Sequence, residues 1–266
     1  MKHTKLPVRF TGQHFTIDTA LIKYAIELAE LRHCDLIFDL GGGKGYITDQ
    51  LLKKTSNIIV IENDKVLSRF LRRKFNLVKE IRVIEDDILD YVFPDMIFKV
   101  VSNIPYAITS QVFKKLMYSN LRCFLGGCII TQLEPALKVT KKTSYNPYVV
   151  FYNTFYDISF VKHVYPTSFN PPPTVQSALL CIKRREYPIV PQDLSDAYIR
   201  FLFSLLRKPD MKTRTTLKQL FRKKQIRLLA DKYFISLDKS ITCLTVEQWA
   251  NCFMEMRKIV PEEYHP

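Results

Sequence analysis

The pentapeptide Ser102-Asn103-Ile104-Pro105-Tyr106 holds the most specific chemistry in the chain. An adenine amine is a poor nucleophile because its lone pair is delocalised into the ring. Acceptors that bond both amine protons hold such a group and favour a pyramidal nitrogen. The Asn103 amide oxygen and a backbone carbonyl of the Asn-Ile-Pro turn can supply them. Pro105 stiffens that turn and leaves the carbonyl before it free. Tyr106 offers a flat face on which a base can stack, worth roughly 1–3 kcal/mol. Taken without other motifs, an Asn-x-Pro turn is also an ordinary loop.

A second constellation is Asp39-Leu40-Gly41-Gly42-Gly43-Lys44-Gly45. It is not a dinucleotide fingerprint, because Tyr46 stands where the last glycine would be needed. It is not a P-loop either, because Gly45 rather than Ser or Thr follows Lys44. What remains is D-x-G-x-G-x-G, in which Asp39 can orient the loop and glycine backbone can pack against a nucleoside. Glu62 lies about 20 residues on, where an acid can take both ribose hydroxyls. Asp87 can accept from an adenine amine, and on spacing alone its neighbour Asp86 serves equally well. No basic phosphate clamp accompanies the loop. The set fits an adenosine-bearing cofactor without phosphates.

These residues need elements that bring them together. Short apolar runs at 36–40, 58–62 and 81–87 read as buried strands, 96–106 holds a fourth, and Cys128-Ile129-Ile130 marks a fifth. Helical spacing separates them, as in Leu21, Ile22, Ala25, Ile26 and Ala29 before the first. Strands alternating with helices predict a mostly parallel sheet with ligands at its carboxyl ends, where the unusual residues sit. Residues 149–166 are rich in β-formers, 169–175 is a proline-stiffened loop, and 177–185 reads as a last strand. Together they predict an antiparallel hairpin at the sheet edge. Beyond Pro188 and Pro191 only helical periodicity remains. The boundaries expected are 1–187 for the sheet domain and 188–266 for a small all-helical domain.

The composition constrains the partner. Forty Lys and Arg against 26 Asp and Glu leave a formal charge of +14. That excess suits nucleic acid. Arg207, Lys208, Lys212, Arg214, Lys218, Arg222, Lys223, Lys224 and Arg227 fall close together with Asp210 as the single acid, and are candidates for phosphate contacts. A solvated helix face is the plainer reading, with Lys2, Lys5 and Arg9 as the alternative path. The N-terminus lacks the apolar run of a signal peptide, and no window approaches a membrane span. A soluble, cytoplasmic chain is expected, without a metal. Six cysteines form no CxxC pair and predict reduced thiols.

With these motifs in order, the chain resembles the Erm family of ribosomal RNA adenine methyltransferases along its whole length. The resemblance rests on GQHF (12–15), DLGGGKG (39–45), Glu62, Asp87-Ile88-Leu89, NIPY (103–106) and FNPPPTVQSAL (169–179). The related KsgA-type dimethyltransferases share the layout but typically read Asn-Leu-Pro-Tyr, and Ile104 with the RFTGQHFT opening (9–16) favours Erm. The resemblance implies an α/β fold, a Rossmann-like S-adenosylmethionine-dependent methyltransferase sheet followed by a helical RNA-binding domain. It implies transfer of one or two methyl groups to one adenine of 23S rRNA, and resistance to macrolides, lincosamides and streptogramin B. Carried over, the cofactor residues are His14 (often Asn in the family), Thr16, Gly41, Gly43, Glu62, Asp87, Ile88 and Asn103. Asn103, Ile104 and Pro105 hold the amine, and Tyr106 and Phe169 sandwich the base. Gly42 stands where some members have Ser or Ala, which implies that a small side chain is harmless there. A monomer acting on 23S rRNA is expected. The rival readings are a KsgA-like 16S rRNA dimethyltransferase, a DNA amino-methyltransferase, and a non-catalytic RNA-binding assembly factor.

Overall fold

A computed structural model describes residues 14–266. Lys2, Lys5, Arg9 and the first part of the RFTGQHFT opening lie outside the described residues. The strands are β1 (Phe15–Thr16), β2 (Leu36–Leu40), β3 (Ile58–Glu62), β4 (Ile81–Glu85), β5 (Phe98–Asn103), β6 (Phe124–Gln132), β7 (Tyr156–Val164), β8 (Phe169–Asn170) and β9 (Ser177–Arg184). The helices are α1 (Thr19–Leu28), α2 (Tyr46–Leu51), α3 (Lys65–Lys74), α4 (Thr109–Lys114), α5 (Leu133–Val139), α6 (Pro147–Phe155), α7 (Ser195–Leu205), α8 (Thr213–Leu217), α9 (Lys223–Tyr233) and α10 (Val246–Ile259).

Seven strands form one sheet in the order β4-β3-β2-β5-β6-β9-β7. The five from β4 to β6 pair in parallel, and β9 runs against both of its neighbours. The chain leaves β2 for β3 and β4 on one side and returns to β5 and β6 on the other. The carboxyl ends of β2 and β5 therefore open a crevice at a topological switch point. Side chains alternate across the sheet. Ile37, Val60 and Val101 pack with α1 and α2, while Phe38, Ile59 and Val100 pack on the opposite face with α4 and α6.

The β-former-rich stretch after residue 149 is half helix. Residues 147–155 form α6, and only 156–164 form the edge strand β7. Asn146 accepts a hydrogen bond from the Tyr148 amide at 2.9 Å, and Pro147 occupies the first turn. Both are helix-start signals. Every residue from Val149 to Phe155 is buried, so the aromatic and branched side chains reflect burial on all sides rather than strand. Thr154 Oγ1 meets the Tyr198 hydroxyl at 3.0 Å, and Tyr198 packs against Phe253 with ring centroids 5.1 Å apart. One hydrophobic cluster thus runs from the sheet through α6 into α7 and α10. Among the cysteines, Cys128, Cys181 and Cys252 are buried, whereas Cys34 and Cys243 are exposed.

Candidate active site

A cavity of about 340 Å³ lies at the carboxyl ends of β2, β3 and β5. Its floor is the glycine loop, strapped to β3 by hydrogen bonds from the Gly41 and Gly42 amides to the Ile61 carbonyl at 2.8 and 3.2 Å. Gly43 has φ +55°, and a Cβ there would meet the Phe15 ring at 2.6 Å. Both facts demand glycine. The Gly42 reading is corrected: a Cβ at Gly42 would fall 2.1 Å from Val60 Cγ1 and 3.2 Å from Leu71 Cδ1. A small side chain is not harmless in this chain, because Val60 already fills the space.

Glu62 is buried, and its carboxylate accepts from the Gly43 amide at 2.8 Å and the Asp64 amide at 3.0 Å. Burial raises its pKa, and those two N–H groups oppose the rise. Beyond β4, the turn separates the two adjacent acids. Asp87 and Ile88 line the cavity; Asp86 does not, and its Oδ1 accepts from the Asp87 amide at 2.8 Å. The strand itself ends at Glu85 rather than Asp87.

The NIPY turn leaves β5 beside the same cavity. Asn103 Nδ2 donates to the His14 carbonyl at 2.7 Å, and Oδ1 is buried with no partner. Only an NH₂ can face a carbonyl, so this bond fixes which way the amide points. A buried acceptor left unpaired costs about 1–3 kcal/mol and invites a donor. The Thr16 hydroxyl and Asp39 Oδ1, on the cavity wall, are likewise buried without partners. His14 is fixed by its Nδ1, 2.9 Å from the Pro171 carbonyl.

Phe169 is elsewhere. It pairs with Thr16 across β8 and β1, is 3% exposed, and packs with α1 in the core. Phe169 does not line the cavity that Tyr106 borders. The ring facing Tyr106 is His14, with centroids 6.0 Å apart and planes tilted by 35°. Phe15, Lys44 and Asn63 also line the wall. The GQHF motif contains Phe15 and the DLGGGKG motif contains Lys44, whereas Asn63 follows Glu62 with no motif to mark it.

Asp39 Oδ2 accepts from the Thr48 hydroxyl at 2.7 Å. Complete burial pushes its pKa up to about 7, with the Thr48 and Ser102 hydroxyls opposing and the Glu62 charge adding. The folded protein thus holds a proton that an unfolded chain releases near the ordinary aspartate value of 3.8. Stability from this group must fall as pH rises from about 4 to about 7 and stay flat above. Asp39→Asn keeps an acceptor for Thr48 and removes the titration. In melts without cofactor, its advantage over wild type is expected to grow from pH 5 to pH 7. Parallel curves would rule the titration out.

A mostly parallel sheet with one reversed strand, a glycine loop after β2 and acids at or just past the ends of the neighbouring strands define a Rossmann-like methyltransferase. The chain belongs to the ribosomal RNA adenine dimethylase family, whose model matches residues 8–258. It is 48% identical over 266 residues to an rRNA adenine N-6-methyltransferase of Bacteroides fragilis, covering 100% of both chains. It is 32% identical over 200 residues to a probable ribosomal RNA small subunit methyltransferase A of Pyrococcus abyssi, covering 74% of this chain and 71% of that one. The crystal structure of the 23S rRNA methyltransferase ErmE superposes with a TM-score of 0.80 at 24% identity, covering 91% of this chain and 99% of that one. The chain is therefore an S-adenosylmethionine-dependent rRNA adenine N6-methyltransferase.

Proposed function

We propose that the chain transfers one or two methyl groups to the exocyclic amine of a single adenine in 23S rRNA, and thereby confers macrolide-lincosamide-streptogramin B resistance. The observation that carries the amine chemistry is Asn103, whose amide is pinned by His14 and whose Oδ1 lacks a donor. Ile104, where the KsgA-type dimethyltransferases typically read Leu, favours the large-subunit target over the small-subunit one.

The cavity suits S-adenosylmethionine. Its volume falls within the range of small-molecule sites, about 300–1,000 Å³, and three unpaired polar atoms lie on its wall. Glu62 would take the ribose hydroxyls by exchanging its backbone partners, and Asp87 with Ile88 would hold the adenine. Gly41 and Gly43 would let the backbone approach, while His14, Thr16 and Asn103 would close the other side. The cofactor supplies an electrophilic methyl group on a sulfonium. Asn103 Oδ1 and the Ile104 carbonyl would accept the two amine protons and present the nitrogen lone pair in line. Pro105 stiffens that turn, and the Tyr106 ring holds the extruded base. No general base is required, because the amine loses its proton readily once methylated. Transfer of labelled methyl to 23S but not 16S transcripts tests the target.

The helical region would grip RNA through its basic cluster. Of the nine cations, Arg214 pairs with Asp238 at 3.8 Å, and the other eight are exposed. Arg222, Lys223 and Lys224 crowd the start of α9, where there is no acid. Cations there oppose the helix dipole, a local cost that a bound phosphate would offset. Neutralising Lys223, Lys224 and Arg227 should flatten the salt dependence of RNA binding by about one unit of slope per lost contact. An unchanged slope would move the RNA path off α9. The protein would act as a cytoplasmic monomer; among the described residues no helix is long and apolar enough to cross a membrane.

A further inference from the structure

We infer that Ser177 is a positioning residue for the reaction, acting by fixing the plane of the Tyr106 ring. Of the seven strands in the sheet, β9 is the one that runs opposite to the rest. Its first residue therefore lies at the end where β5 and β6 finish, beside the cavity. That residue is Ser177, which is 0% exposed. Its Oγ lies 2.5 Å from the Tyr106 hydroxyl. A hydroxyl buried in a strand normally finds a partner, and among the described residues Tyr106 is the one it has.

The other end of Tyr106 is held by the first residue of α4, which is tied in turn to β6. Thr109 Oγ1 donates to the Tyr106 carbonyl at 3.1 Å and meets Thr131 Oγ1 at 2.9 Å. Thr109 and Thr131 are both buried. Thr131 pairs with Ala178 and Gln132 with Ser177 in the β6–β9 register. Neighbouring rungs of one antiparallel pair thus hold the phenol tip of a single half-buried aromatic residue directly and its backbone through Thr109. A tyrosine tied only at its backbone could swing its ring about the side-chain torsions. Tied at both ends, it presents one fixed face. Base stacking in line with a methyl donor rewards that, because small misplacements of a reactant are costly. The antiparallel hairpin, otherwise an edge to the sheet, thereby supplies a part of the site.

This rests on Tyr106 being the platform for the adenine. The test is methyl transfer from tritiated S-adenosylmethionine to 23S and 16S rRNA transcripts by wild type, Tyr106→Ala, Tyr106→Phe, Ser177→Ala and the Tyr106→Phe/Ser177→Ala double variant. Cofactor affinity and melting temperature are measured alongside. A single hydrogen bond corresponds to about fivefold. Tyr106→Phe and Ser177→Ala should each lower kcat about fivefold on the transcript wild type methylates, the double variant should be no worse than either, and cofactor affinity should not move. Wild-type kcat in Ser177→Ala, effects that multiply in the double variant, or a parallel loss of cofactor binding would overturn the inference. If Tyr106→Ala also keeps the wild-type rate, the platform itself falls; if Tyr106→Ala is impaired while Ser177→Ala is not, only the role of Ser177 falls.

Discussion

Asn103→Ala is expected to lower turnover about 100-fold or more at saturating cofactor and RNA, the scale of losing one preorganised polar contact to the reacting group. The effect belongs in kcat, because the Oδ1 acceptor matters most as the amine becomes pyramidal. Asn103→Asp separates the two halves of the amide. It keeps an acceptor but loses the Nδ2–H that bonds the His14 carbonyl at 2.7 Å. It also sets a carboxylate against that carbonyl. The aspartate variant should therefore be nearly as impaired as the alanine variant. A quench-flow or filter assay with labelled cofactor reads both. Turnover near wild type in Asn103→Ala would remove the residue from the chemistry, and an active Asn103→Asp would show that the His14 bond does not orient it.

The second large effect is on stability. Gly42→Ala places a methyl 2.1 Å from Val60 Cγ1, in a strand whose Val60 is 0% exposed. Overpacking of this kind costs typically about 1–3 kcal/mol, or roughly 2–4 °C of melting temperature per kcal/mol in a chain of this size. The strain has a named source, so it has a named cure. Val60→Ala removes the opposing methyl at the cost of a cavity, and the double variant should be more stable than the sum of the two single losses. Such non-additivity is the mark of residues in contact. Additive losses would mean that the loop relaxes away from β3 instead, and the cofactor affinity of Gly42→Ala would then fall as well.

Much of the site was legible because chemistry and punctuation coincide in this chain. Asp39, Glu62 and Asn103 each close or nearly close a short apolar run, and the glycines follow the first of them. Such runs are parallel strands, and their ends converge at the switch point. Asp87 could not be separated from Asp86 by spacing, since the difference lies in a turn past the end of β4. Three prolines suggest a platform at Phe169 but do not say which way the preceding ring points; the residue pairs with Thr16 and is buried. Helix α6 was hidden by composition. Val149, Val150, Phe151, Tyr152 and Phe155 favour a strand by propensity, yet burial between the sheet and α7 selects for the same side chains in a helix. The Asn146-Pro147 start signal was present and outweighed by propensity. Gly42 and Ser177 needed the neighbouring strands, Val60 on β3 and the β6–β9 register, and no local sequence window contains those.

A single adenine of 23S rRNA is proposed to gain its methyl groups on N6. The direct measurement is mass-spectrometric mapping of total rRNA incubated with the protein and isotopically labelled S-adenosylmethionine, digested to oligonucleotides. The expected result is labelled N6-methyl- or N6,N6-dimethyladenosine at one position of 23S rRNA, formed about 100-fold or more slowly with Asn103→Ala. Label on 16S rRNA, on several adenines, or on an atom other than N6 would contradict it.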